Sequence, residues 1–180
     1  MNKIIGIDPS TNFIGVSIIT INKELNAVKA IETTAIDISK TESFNPLNNN
    51  LLYRLRKLTQ LIYKVMEEHQ PLAVGMESPF MNQLRPASAL PLGQSVQAIQ
   101  HGVFKYKPHM VVGMYPPSTV KNAVGAKGGG DKDAVLKAIQ KIPELKSKMN
   151  FNLLTDHEVD ATAIAYALLQ DIRHNPLILI

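Results

Sequence analysis

The chain is 180 residues long and carries nineteen Lys and Arg against fifteen Asp and Glu, a net charge of +4. It has no cysteine, which excludes disulfides, zinc–thiolate centres and cysteine nucleophiles; any metal must take oxygen or imidazole ligands. The basic balance favours a polyanionic partner only weakly, and with neither a signal-peptide layout nor an apolar run near the roughly 18–20 residues of a membrane span, the expectation is one cytoplasmic domain over residues 1–180.

Residues 3–8, 13–22 and 27–38 are rich in Ile, Val and Thr and are separated by the turn-like segments PSTN and NKELN, the pattern of a three-stranded antiparallel meander. After Asn48, Asn49 and Asn50, the residues Leu51, Leu55, Leu58, Ile62 and Val65 recur at helical spacing. The opposite face of that helix carries Arg54, Arg56, Lys57 and Lys64, which read as a solvated surface. LAVGMES (72–78) is a short apolar strand and MVVGMYPP (110–117) another, with a helix between them over 88–104. DKDAVLKAIQKI (131–142) reads as a helix. TDHEVDATAIAYALLQDI (155–172) reads as a second, with Thr155 and Glu158 at the spacing of a capping box. The whole is α/β, a mixed five-stranded sheet of three antiparallel and then two parallel strands, flanked by helices.

The chemistry lies in acids placed where charge is costly. Asp8 ends the first apolar strand, where a lone carboxylate against a sheet costs several kcal/mol unless paired, neutralised or bound to metal. Alone, it serves equally well as a catalytic acid or as a turn aspartate. Glu77 ends a second apolar strand, and Asp160 follows Asp156 and His157 along one face of the last helix. Three acids from three separated elements suit Mg²⁺ or Mn²⁺, two ions per site, with phosphodiester hydrolysis as the reaction such a site serves best. The plainer reading leaves Asp156 and Glu158 as helix-dipole partners and Glu77 as a turn cap.

Four segments together resemble the RuvC family of Holliday junction resolvases, on the RNase H-like fold, almost from end to end. IIGIDPSTNFIGVSI looks like the family's first strand. MESPFMNQLRPASALPLGQSVQAI (76–99) resembles the second acid followed by an aromatic and a Leu-Gly-Gln helix. VKNAVGAKGGGDKDAV (120–135) looks like its basic loop, and HEVDATAIA (157–165) like its terminal acidic helix. The first segment alone is shared with actin-like kinases and pre-rRNA-processing nucleases; all four in order are specific.

The resemblance implies that Asp8, Glu77, His157 and Asp160 are catalytic metal ligands. Many family members carry an acid three residues before the last aspartate; this chain has His157 there, with Asp156 one place earlier as the alternative ligand. Phe80 matches an aromatic that stacks on an unpaired base, although composition alone would make it a core residue. Lys121, Lys127 and Lys132, around the glycines at 128–130, would contact DNA phosphates, unless they belong to a plain surface loop. The implied protein is a homodimeric endonuclease making paired nicks in four-way junctions and other branched DNA. A phage-encoded resolvase acting in the host cytoplasm would fit the short chain, and a branch-migration partner is not legible. Two other classes stay open: an RNase H-fold nuclease acting on structured RNA, which should lack Phe80 and the basic glycine loop, and a non-cleaving junction-binding protein, which should have lost an acid.

Overall fold

A computed structural model describes residues 1–40, 50–79, 89–126 and 133–179. Five strands, β1 (Asn2–Asp8), β2 (Phe13–Ile21), β3 (Val28–Asp37), β4 (Ala73–Glu77) and β5 (Val111–Tyr115), form one sheet in the order β3-β2-β1-β4-β5. β1, β2 and β3 pair antiparallel, while β4 joins β1 and β5 joins β4 in parallel, as the sequence pattern implies. Each parallel step needs a long crossover. Helices α1 (Asn50–His69) and α2 (Ala89–Tyr106) lie in those crossovers. The β2–β3 turn closes on Asn22, whose side-chain oxygen accepts from the backbone N–H groups of Asn26 and Ala27.

Both faces of the sheet are covered, so β1 reads as an apolar run rather than an alternating one. Ile5, Ile7, Val74 and Met76 point to one face and pack with Leu58, Ile62 and Met66 of α1 and Ile99 of α2. Ile4, Ile19 and Ala73 point to the other and pack with Ile164 and Leu168 of α6 (Asp156–His174). Each of these Ile, Val, Leu and Met side chains contributes roughly 1.5–3 kcal/mol by leaving water.

Helix α6 lies very close to the sheet. A Cβ on Gly6 would collide with the backbone of Ala161 and Ala165, and one on Gly15 with the carbonyl of His157. Only glycine permits this approach, and it brings the first turn of α6 to the end of β1 that carries Asp8.

Two local expectations are corrected. The segment after β5 opens with a helix, α3 (Pro117–Ala123), so Lys121 stands on a helix rather than in a loop. The helix expected over 131–142 ends earlier, as α4 (Asp133–Ile139), and a separate short helix, α5 (Pro143–Lys146), follows the expected segment. The cause is Pro143, which disfavours helical geometry in the residue before it; Ile142 is extended, with φ −79° and ψ 112°. Among the described residues no helix is long and apolar enough to cross a membrane.

Candidate active site

The strand register brings the first two acids together. Gly6 lies opposite Gly75 and Ile7 opposite Met76 in the parallel β1–β4 pair, so Asp8 and Glu77 are the next positions along. Side chains alternate along a strand, and neighbouring strands run about 4.8 Å apart. Asp8 therefore shares the α6 face with Ile4 and Gly6, as Glu77 does with Ala73 and Gly75. Two carboxylates thus emerge side by side at the carboxyl ends of adjacent parallel strands.

Helix α6 supplies the rest. Its start is set by the capping box expected from sequence: the Thr155 N–H donates to Glu158 Oε2 (2.9 Å), and the Glu158 N–H donates to Thr155 Oγ1 (3.3 Å). Further along, Thr162 Oγ1 donates to Ser17 Oγ of β2 at 3.1 Å, both side chains buried. With the helix fixed this way, His157 in the first turn reaches Asp8, Nδ1 to Oδ2 2.7 Å. Asp160, one turn on, lies on the same face. Asp156 is exposed but lines the same cleft.

The electrostatics are those of crowded acids. Burial pushes Glu77 up to about 7, with the charges of Asp8 and Asp160 adding to it and Lys121 opposing. Burial likewise raises Asp160 to about 6, reinforced by Asp8 and opposed by His157 and Lys121. Asp8 is raised too, since its burial outweighs the hydrogen bond and charge of His157. His157 is raised chiefly by its bond to Asp8, against the opposing effect of its own burial. Metal-free, the cluster therefore holds protons more tightly than free carboxyls would.

These groups line an open cleft of about 630 Å³ with Lys121 and Asp133. Sequence reasoning missed Asp133, which reads simply as a favourable acid at the start of α4. It also read Arg54 as solvated, whereas Arg54 Nη1 donates to Asn12 Oδ1 at 2.8 Å, tying α1 to the loop that follows Asp8. Among the described residues, Arg54 Nε is buried with no hydrogen-bond partner. Phe13 was missed as well; its ring stacks on that of His157. Phe80, Lys127 and Lys132 lie outside the described residues.

Among the described residues no three His, Asp or Glu side chains stand close enough together, as placed, to cage an ion. The donor chemistry nevertheless fits a hard divalent cation. Three partly buried carboxylates and an imidazole share one cleft, each carboxyl is raised by burial, and the amine that counters Glu77 and Asp160 is Lys121.

The family model for "Crossover junction endodeoxyribonuclease RuvC" matches residues 4–168. Relatives of that name in Rickettsia massiliae and Rickettsia akari are each 30% identical to this chain. The first aligns over 92% of this chain and 96% of its own length, the second over 91% and 94%. Among solved structures, Thermus thermophilus RuvC in complex with Holliday junction substrate shares the fold, with TM-score 0.72, 18% identity and 97% of each chain covered. Fowlpox virus resolvase with its substrate Holliday junction DNA does so at TM-score 0.56 and 15% identity, covering 94% of this chain and 98% of its own. The fold is therefore RNase H-like, nucleases of the matched family depend on a divalent metal, and the chain belongs to the RuvC family of crossover junction endodeoxyribonucleases.

Proposed function

We propose that this protein is a structure-selective DNA endonuclease that resolves four-way junctions by divalent-metal-dependent phosphodiester hydrolysis. The observation that carries the reading is the meeting of Asp8 and Glu77 at adjacent strand ends with His157 held against Asp8 by α6. Asp8, Glu77, Asp160 and His157 would hold Mg²⁺, or Mn²⁺ in its place, as two ions. Bound there, the metal would activate a water and stabilise the leaving oxygen of an in-line displacement.

The side chains themselves do the remaining work. Glu77, raised to about 7, and Asp160, raised to about 6, both chiefly by burial, would give up their protons more readily with a cation beside them. The Asp8 hydrogen bond engages His157 at Nδ1 and leaves Nε2 as the ring nitrogen for the metal. His157 is favoured over Asp156 as the fourth ligand because it touches Asp8, while Asp156 is exposed. Lys121, on the same cleft, is assigned to the DNA backbone with Lys127 and Lys132, and Phe80 to an opened base.

Paired nicks call for two sites, so the acting species is a homodimer, with the face of α1 or α2 as its contact. The reading assigns residues 1–180 to one RuvC-like nuclease domain acting in the cytoplasm. It is tested with labelled four-way junction, matched duplex and structured RNA, each with and without Mg²⁺. Symmetric nicks with 5′-phosphate and 3′-hydroxyl ends, in the junction alone and only with metal, are expected. Preferential cutting of RNA, or junction binding without cutting, would each refute the reading. Asp8→Asn and Glu77→Gln should lower cleavage more than about a hundredfold while junction binding survives, since losing even an outer partner of a metal ligand costs 10–100-fold. Near-normal cutting by both would dissolve the site.

A further inference from the structure

Phe13 opens β2 and remains 42% exposed, too open to serve as a core residue. Its ring lies 6.1 Å from that of His157, centroid to centroid, with 17° between the planes. That is inside the 4.5–7 Å range of attractive aromatic pairs. Asp8, the hydrogen-bond partner of His157, pairs across the β1–β2 hairpin with Gly15, two residues after Phe13 and on the same face of β2. Gly15 in turn lies directly beneath the His157 backbone. One corner of the hairpin therefore holds His157 three ways: the backbone rests over Gly15, the ring nitrogen Nδ1 bonds to Asp8, and the ring stacks near-parallel to that of Phe13.

The imidazole needs that third contact. Its side chain is 36% exposed and stands in the first turn of a helix, where solvent leaves room for other rotamers. A single hydrogen bond at Nδ1 still allows the ring to rotate about that bond. A stacked neighbour fixes the plane, and the plane decides where Nε2 points.

We propose that Phe13 is a positioning residue of the cleavage site, its ring clamping the His157 imidazole in the plane that presents it to the metal. The proposal rests on the assignment of His157 as a ligand. Phe13 touches neither the metal nor the scissile phosphate; it acts through His157.

The test measures Mn²⁺ affinity by titration of the full-length protein, together with kcat and KM on a four-way junction. Phe13→Ala should weaken Mn²⁺ binding about three- to tenfold and lower kcat by a similar factor, the range expected for one stacked pair, with KM unchanged. Phe13→Tyr keeps the ring and should restore both. Phe13→Leu keeps an apolar side chain and guards against a folding defect in the alanine variant; it should fail as alanine does. The double variant Phe13→Ala with His157→Ala should bind Mn²⁺ no more weakly than His157→Ala alone, because the two residues act as a unit.

Wild-type Mn²⁺ affinity in the leucine variant overturns the proposal, as do additive losses in the double variant. A raised KM with unchanged Mn²⁺ affinity also overturns it, making Phe13 a DNA contact. If His157→Ala alone binds metal and cleaves normally, the ligand assignment fails first, and the proposal with it.

Discussion

Glu77 and His157 are the two residues at which the site can be most sharply questioned. A carboxyl whose folded value is raised stabilises the fold below its unfolded value near 4.5, and that contribution is lost as pH rises through about 7. His157, raised by Asp8, has the same sign: its pairing is present at low pH and lost as pH rises through its folded value. Metal-free protein should therefore melt at a lower temperature at pH 8 than at pH 5.5, in melting curves recorded with chelator. Glu77→Gln should remove much of that fall, on the order of 2 kcal/mol after allowing for solvent at the partly open site. An unchanged slope in the variant would mean that burial and the neighbouring acids do not raise Glu77. At the acid end Glu144 limits stability, since its bidentate pair with Arg173, 2.7 and 2.8 Å, lowers its value and is lost as pH falls through it. The proposed assignment of His157 as fourth ligand is tested by ranking variants: His157→Ala should lose most cleavage, His157→Asp should retain metal-dependent cutting with an altered pH profile, and Asp156→Asn should lose little. Inactive Asp156→Asn beside active His157→Ala would move the ligand to Asp156.

Helix α6 is the element on which the site depends, because its distance from the sheet sets the reach of both His157 and Asp160. Gly15→Ala places a methyl group where the His157 carbonyl lies, so the helix start must move outward. The expected cost is about 1–3 kcal/mol of stability, the usual range for overpacking, and cleavage should fall further than stability alone explains. Thermal denaturation and junction turnover on the same preparation check this; an alanine variant of normal activity would show that the first turn tolerates displacement. Strand register plays the matching part for Asp8 and Glu77. The step from Ile7–Met76 to the next residue decides that both carboxylates emerge together and on the α6 face.

Across the whole molecule the net charge is modest, so affinity for DNA must come from placed cations rather than from overall charge. Lys121 is the described one within the cleft. Lys121→Ala should reduce the slope of log affinity against log salt by roughly one unit for junction DNA. A slope equal to wild type, measured by titration at several ionic strengths, would confine Lys121 to balancing the charge of Glu77 and Asp160.

Much of this was legible in the chain before any coordinate. Apolar runs ending in acids mark β1 and β4, and helical spacing marks α1. Thr155 and Glu158 announce the start of α6, because capping depends only on residues three apart. Alternation along a strand likewise depends on near neighbours, which is why the meander and the candidate acids could be read from local pattern. Contacts between distant segments could not. Arg54 looked solvated because a helical wheel does not show the loop at Asn12 that packs against it, 42 residues away. Lys121 looked like a loop residue because its short helix has little periodicity to display. Phe13 carried no signal, since its meaning depends on a histidine 144 positions later brought over β2 by the glycines of the sheet. The sequence by itself determined which elements form and which carboxylates are costly to bury, since both are local consequences of pattern and desolvation. Only the tertiary structure decided that His157, not Asp156, meets Asp8, because that depends on how closely one helix can approach one sheet.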